Sequence, residues 1–264
     1  MIPISGATRA LPIIGRPTRQ VKAPHFFNAF FQTQGIDAVC TAVELEDASV
    51  AGFIQAVRGW NNAAGYIATI PHKQQACAGA DARSERAEFL GAANLIRREA
   101  DGRLVADMTD GLGCVEAMRK KGFDPAGKRT LVVGVGGAGS AIGHALAEAG
   151  AERLTLIDLD MARAEALAGR LRERFPSVRI EVGEPAMDAI DIAVNASPAG
   201  MNGDPNLPLS LDGISAKALV ADVVTLPEQT PWLLAAAAAG CTTQTGMDMV
   251  AGQFDLMAKH FGFA

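Results

Sequence analysis

Two short stretches of this chain carry residue types at spacings that suit chemistry. In Gly65-Tyr66-Ile67-Ala68-Thr69-Ile70-Pro71-His72-Lys73 an apolar run is broken by a proline, and a lysine follows the break. Proline cannot donate to a strand ladder. The run therefore reads as the end of a buried strand, with Lys73 in the first turn of the helix that follows. Taken alone, such a lysine reads as a solvated residue. The second stretch, Thr130-Leu131-Val132-Val133-Gly134-Val135-Gly136-Gly137-Ala138-Gly139-Ser140, is a strand, a glycine loop and a helix start. Gly134, Gly136 and Gly139 occupy G-x-G-x-x-G, and Gly137 and Ala138 complete the loop. The first glycine permits the tight turn, the second lets a pyrophosphate approach the backbone, and the third allows helix and strand to touch. The helix N-terminus attracts the negative charge. The next apolar run ends in Asp158, roughly 20 residues further on, where a carboxylate would accept from the adenosine ribose hydroxyls. A carboxylate there repels a 2′-phosphate, so NAD is expected ahead of NADP.

The elements that must position these residues alternate along the chain. The early pattern predicts strands at 9–14, 38–44, 65–70 and 93–98, and helices at 24–34, 47–59 and 73–80. A second series predicts strands at 130–133, 153–158, 178–182, 192–195, 219–223 and near 241–243. Helices are predicted between them at 137–150, 161–175 and 230–239, with a last helix at 246–261. Asp47 and Asp160 suit helix N-caps, and Gly150 and Gly240 suit helix stops. This is an α/β chain: an N-terminal α/β domain followed by a doubly wound Rossmann domain.

Composition narrows the function classes. The chain has 264 residues, 49% hydrophobic and 20% charged, with net charge −5. A packed core is attainable and no basic run offers a nucleic-acid surface. No apolar stretch reaches the roughly 18–20 residues of a membrane span. The start, with no basic region leading into an apolar one, reads as no secretory signal, so a cytoplasmic protein is expected. Cys40, Cys77, Cys114 and Cys241 are scattered and fit free thiols. His25, His72, His144 and His260 show no metal-ligand spacing, and no metal is expected. His144 reads as structural. Phe26, Phe27, Phe30 and Phe31 read as a helical core face.

The chain resembles the shikimate/quinate dehydrogenase family over almost its whole length. Family motifs appear in order: Ile67-Ala68-Thr69-Ile70-Pro71-His72-Lys73 for N-x-T-x-P-x-K, Gly91-Ala92-Ala93-Asn94-Leu95 for G-A-x-N-T, and Met108-Thr109-Asp110-Gly111-Leu112-Gly113 for N-T-D-x-x-G. The glycine loop, Asn195-Ala196-Ser197-Pro198-Ala199-Gly200-Met201, and Gly246-Met247-Asp248-Met249 through Gln253 follow. The resemblance implies a substrate domain over 1–109, completed by 245–264, and an NAD-binding domain over 110–244. It implies Lys73 and Asp110 as the catalytic pair, in the cleft that the family forms between the domains. Oxidation of a secondary alcohol sends a hydride to nicotinamide while a base takes the hydroxyl proton. A lysine serves either direction, and such proton transfer is worth about 10²–10⁴-fold in rate. Alcohol oxidation is expected to quicken above neutral pH. Thr69, Asn94 and Gln253 are expected near the substrate. Asn195, Ser197, Met201, Val223 and Gly246 are expected at the cofactor.

The departures from the family pattern bear on specificity. Two serines that grip the substrate carboxylate in the family are Val21 and Ala23 here, and the tyrosine that joins them is Thr225. Two asparagines that bind ring hydroxyls are Ile67 and Met108. A carboxylate placed there would lose charge-assisted hydrogen bonds of about 1.5–3 kcal/mol each. Where NADP-using members carry N-R-[ST], this chain has Asp158-Leu159-Asp160, so Leu159 replaces the arginine that meets the 2′-phosphate. The expected protein is an NAD-dependent oxidoreductase acting on a cyclic secondary alcohol or ketone, monomeric or homodimeric. The alternatives are a genuine shikimate or quinate dehydrogenase with a rearranged carboxylate grip, or an NAD-binding regulatory protein without turnover.

Overall fold

The computed structural model describes residues 4–19 and 21–264. Met1, Ile2 and Pro3, part of the start read above for a signal, lie outside the described residues, as does Gln20. The chain divides into two compact units: the chain up to Thr109 together with Phe254–Ala264, and Asp110–Gln253.

The first unit runs β1 (Arg9–Gly15), α1 (Ala23–Gln34), β2 (Ala38–Glu44), α2 (Val50–Gly59), β3 (Gly65–Ala68), α3 (Lys73–Ala78), β4 (Ala82–Arg83), α4 (Glu85–Leu90), β5 (Leu95–Arg98) and β6 (Leu104–Asp107). Its sheet has the order β2-β1-β3-β5-β6-β4. β1 is parallel to β2 and β3, whereas β5 is antiparallel to both β3 and β6. Leu11, Ile13, Phe27 and Phe31 need an apolar cover, and the chain's end supplies it with Phe261 and Phe263. The Phe31 and Phe263 rings meet edge-on at 4.7 Å, a favoured aromatic geometry.

Four elements escape the sequence pattern: β4, α4, β6 and the helix Asp110–Lys120. β4 has two residues and α4 six, too few for a periodicity to show. α4 is marked by its ends: the Ser84 hydroxyl accepts from Ala87 N, and Gly91 closes it in the left-handed region. β6 does have a signal, Asp101-Gly102 between two apolar runs, with Gly102 at φ 87°. Asp47 is not the N-cap of α2. It opens a 3-10 turn, Asp47–Ser49, and α2 starts after it with no side-chain cap. Asp160 does cap its helix, accepting from Arg163 N.

The second unit runs α5 (Asp110–Lys120), β7 (Arg129–Val133), α6 (Gly137–Glu148), β8 (Arg153–Ile157), α7 (Met161–Arg174), β9 (Arg179–Val182), β10 (Ile192–Asn195), β11 (Leu219–Asp222), α8 (Pro231–Ala238), β12 (Thr242–Gln244) and the start of α9 (Gly246–His260). Its six strands are all parallel in the order β12-β11-β10-β7-β8-β9. The order reverses at β7, the crevice where such sheets bind ligands. Trp232 anchors the core here and donates its indole N–H to Leu209 O at 3.1 Å. The sequence places all of the last helix with the first domain, but its residues up to Gln253 belong to the second unit. The reason is a close approach: a Cβ on Gly252 would overlap the Gly113 carbonyl of α5. Among the described residues no helix is long and apolar enough to cross a membrane.

Candidate functional site

In the first unit, strand β3 ends one residue before Thr69, and α3 opens with Lys73, which is half-buried. Thr69 N donates to Ile14 O at 2.9 Å, and His72 N to Thr69 O at 2.9 Å. Ala93 N donates to Lys73 O, also at 2.9 Å. These bonds hold the Thr69–Lys73 turn from both sides. A Cβ on Gly15, the last residue of β1, would overlap the Thr69 methyl, so this glycine makes room for the threonine. Asn28 exchanges two 2.8 Å bonds with the Cys40 backbone and ties α1 to β2.

In the sequence His72 is marked only by its place beside Lys73. The imidazole is wholly buried, with Nε2 2.9 Å from Leu45 O. A carbonyl only accepts, so Nε2 carries the hydrogen. Nδ1 lies 3.4 Å from the exposed Asp47 carboxylate. His72 thus fastens the lysine's turn to the β2–α2 connection. His25 faces solvent, and His144 is buried on α6 against the Phe175 ring.

Asn94 is buried, and its amide is engaged with Thr109: Oδ1 accepts from Thr109 N at 2.9 Å and Nδ2 donates to Thr109 Oγ1 at 3.2 Å. It therefore orders the backbone immediately before Asp110. Val21 and Ala23 are partly buried against the Phe27, Phe31 and Phe261 core, alongside Phe30 and Phe254. Val21 N donates to Thr18 O. Ile67 and Met108 are 4% and 1% exposed, so they serve as core rather than as an open apolar wall.

In the second unit Asp110 opens α5 and is buried. Gln253 Nε2 donates to Asp110 Oδ1 at 3.1 Å, which joins two residues 143 positions apart. Gly113 permits this, because a Cβ there would overlap Gln253 Cγ.

The glycine loop lies at the end of β7. A Cβ on Gly139 would overlap the Gly134 carbonyl, and one on Gly134 would come within 2.8 Å of Ser197 N. Gly134 also has φ 89°. By contrast, a Cβ on Gly136 or Gly137 meets no protein atom within 4 Å. Two glycines are thus required by packing, and two face open space. α6 begins at Gly137 with no side-chain cap on its first N–H groups. Beside it lies a cavity of about 1050 Å³, lined in part by Gly134, Gly136, Asp158, Leu159, Ser197 and Leu207. A loop with exposed glycines, an uncapped helix start and a cavity of this size fit a dinucleotide.

Asp158 is 8% exposed at the end of β8. Oδ2 accepts from Val135 N at 2.7 Å, and Oδ1 accepts from Asp160 N at 2.9 Å and from the Arg163 guanidinium at 2.7 Å. Burial pushes its pKa up, but Arg163 and the two backbone N–H groups outweigh burial and hold the carboxyl below its usual range. Asp160, Glu184 and Asp204 also line the cavity, whereas Arg163, the one lining cation among the described residues, is bound to Asp158. Leu159 is fully exposed at the rim.

Asn195 is wholly buried at the end of β10 and does not line the cavity. Its Oδ1 accepts from Ser197 N at 3.0 Å and Ser197 Oγ at 2.7 Å, and its Nδ2 donates to Ala199 O at 3.2 Å and Asp222 Oδ2 at 3.1 Å. Ser197 Oγ in turn accepts from Ala199 N. These two side chains build the loop, and its backbone reaches the cavity. Met201 is exposed, and Val223 and Thr225 are half-exposed. Gly246 packs directly on the Val223 and Val224 carbonyls, where a Cβ would stand 2.7 Å from Val223 O, so its smallness serves the protein's own backbone.

Residues 13–96 match the model of the shikimate dehydrogenase substrate binding domain. The NADP(+) shikimate dehydrogenase of Rhodospirillum rubrum is 35% identical over 260 residues, 95% of this chain and 90% of that protein. The chain belongs to the shikimate dehydrogenase family. It is by that membership an oxidoreductase. Solved structures agree with the fold. Shikimate 5-dehydrogenase from Listeria monocytogenes, in complex with shikimate and NAD, superposes with TM-score 0.90 at 28% identity, covering 98% of this chain and 92% of that one. The ligand-free 5-ketofructose reductase of Gluconobacter sp. strain CHM43 superposes with TM-score 0.88, also at 28% identity, covering 96% and 92%. The solved structures similar to this chain thus carry the names of more than one activity.

Proposed function

We propose that this shikimate dehydrogenase family member is an NAD-preferring dehydrogenase of a cyclic alcohol or ketone that lacks the shikimate carboxylate. One observation carries the substrate side. Val21 and Ala23 stand where the family has two gripping serines, and both pack on an aromatic core. A carboxylate laid there would meet methyl groups and lose its solvation. The resemblance to a reductase of a keto sugar supports a carbonyl substrate without a carboxylate. The cofactor side rests on Asp158: a 2′-phosphate beside it would face Asp160, Glu184 and Asp204, while Arg163 is already engaged.

When bound, the nicotinamide gives or takes a hydride. The chain moves the accompanying proton. Lys73 takes it from the alcohol, or gives it to the carbonyl in the reverse direction. Asp110, held by Gln253, orients the hydroxyl. Thr69, Asn94 and Thr225 are the further residues that the family resemblance brings to the substrate. A second reading, shikimate or quinate oxidation with a displaced carboxylate grip, has the R. rubrum relative in its favour.

The test is NAD⁺ reduction, followed by NADH absorbance, with shikimate, quinate and carboxylate-free cyclic alcohols, and NADH oxidation with keto sugars. Lys73→Ala is the control and should lower turnover by about 10²–10⁴-fold. Efficient turnover of shikimate or quinate would overturn the substrate reading. NADP⁺ use matching NAD⁺ would overturn the cofactor reading.

A further inference from the structure

We infer that Asp222 is the positioning residue that sets the nicotinamide half of the cofactor site. This rests on the nicotinamide-dependent reading above. Asp222 ends β11 and is 1% exposed. Its Oδ2 accepts from Asn195 Nδ2 at 3.1 Å and from Thr230 Oγ1 at 2.8 Å, and its Oδ1 accepts from Val224 N at 2.9 Å. Three segments meet on this carboxylate: the loop after β10, the loop after β11 and the N-terminus of α8.

The location of that junction gives it meaning. In the sheet order the glycine loop follows the central strand β7, and Asp158 follows β8 on one side. A dinucleotide crossing the reversal point with its adenosine toward β8 directs its other half toward β10 and β11. The two loops there are Ala196–Met201 and Val223–Leu226. Asp222 fixes both. Through Asn195 it sets the first loop: with its Nδ2 bound to Asp222 and Ala199 O, the amide keeps Oδ1 toward Ser197. Turned over, the amide would place NH₂ against the Ser197 N–H and a carbonyl against a carboxylate. Through Val224 N it sets the second loop. Thr230 joins the two, since a Cβ on Gly200 would come within 3.1 Å of the Thr230 Cβ. Asn202 N, directly after the first loop, also donates to Leu226 O of the second at 3.0 Å.

An acceptor-only group is required. Asn195, Thr230 and Val224 present donors from three directions, and a carboxylate accepts them all. An asparagine at 222 would turn its NH₂ toward at least one of them. Burial pushes the Asp222 pKa up, against the pull of Val224 N, Asn195 and Thr230.

The experiment measures binding of NADH and of ADP-ribose, which lacks nicotinamide, to the wild type, Asp222→Asn and Thr230→Val by calorimetry. Thermal unfolding of each variant accompanies it. We expect Asp222→Asn to weaken NADH roughly 10- to 100-fold, the scale of one lost hydrogen bond to a charged group, while ADP-ribose changes less than about twofold. Thr230→Val removes one of the three donors, and should give a smaller loss in the same direction if Asp222→Asn does not fold. Thr230→Ser restores the donor and should bind as wild type. Equal weakening of both ligands, or NADH binding unchanged in both variants, overturns the assignment. Wild-type protein that binds neither ligand overturns the nicotinamide reading itself, and the positioning role with it.

Discussion

At the scale of residues, the Asp158 carboxylate accepts from Val135, Asp160 and Arg163, so it remains ionised beside the cavity. Asp158→Ser removes that charge and releases Arg163. The ratio of kcat/KM for NAD⁺ over NADP⁺ is expected to fall by about tenfold or more, since one favourable contact to a phosphate replaces one repulsion. Steady-state kinetics with both cofactors checks it. The substrate side has its own test. Val21→Ser with Ala23→Ser returns two hydroxyls to the first unit. Turnover of a carboxylate-bearing substrate such as shikimate should rise by about 10- to 100-fold per bond formed. The same double variant should lose about 1–2 kcal/mol of stability, because both side chains now pack on the aromatic core.

At the scale of elements, the close approach of α5 to α9 decides where the Asp110 side chain points. Gly113 leaves space for Gln253, which donates to Asp110. In Gly113→Ala the new methyl occupies the Gln253 Cγ position, so the glutamine must swing away and Asp110 loses that donor. Turnover should fall roughly tenfold, the scale of a hydrogen bond to a charged group, whereas NADH affinity stays near wild type. Separate measurement of kcat and of the NADH dissociation constant distinguishes this from general unfolding. The glycine loop behaves differently. In Gly139→Ala the methyl meets backbone, the Gly134 carbonyl, and cannot be accommodated by a rotamer change. That variant should lose cofactor binding and several °C of Tm together.

At the scale of the whole molecule, each unit carries a buried or half-buried carboxylate tied to arginine. In the first, Asp107 accepts from Arg86 at 2.8 and 2.7 Å and from Ser84 at 2.6 Å. Burial pushes Asp107 up, but Arg86 and Ser84 outweigh it, and its pKa lies below the ordinary 3.8. In the second, the Arg129 hydrogen bond holds Asp191 down, and Asp158 is held down as described. A carboxyl whose folded pKa is depressed contributes stability above its unfolded value and loses it as pH falls through the folded one. Asp222, raised, acts in the opposite sense, but it is one group against three. Tm should therefore drop as pH falls below about 4. Asp107→Asn should start from a lower Tm and show a shallower fall. Thermal melts between acidic and neutral pH check both.

The sequence by itself determined the strands of the second unit and the helices between them, though not α5. Its parallel strands are short apolar runs, and its turn carries glycines whose absence of Cβ is the signal. It also located Lys73 at the opening of α3 and Asp158 just past β8, because a lysine after a proline break and a strand-ending carboxylate are local facts. Tertiary structure decided the rest. β4 and α4 are too short to leave a period, and the division of α9 between units depends on Gly252 meeting Gly113. Met108 and Ile67 look from the sequence like pocket walls, yet the fold buries them in the core. The burial of His72 beside Lys73 and the convergence of three segments on Asp222 have no local signature. Each depends on residues far apart in the chain finding one another, which a hydrogen bond requires and a sequence spacing cannot display.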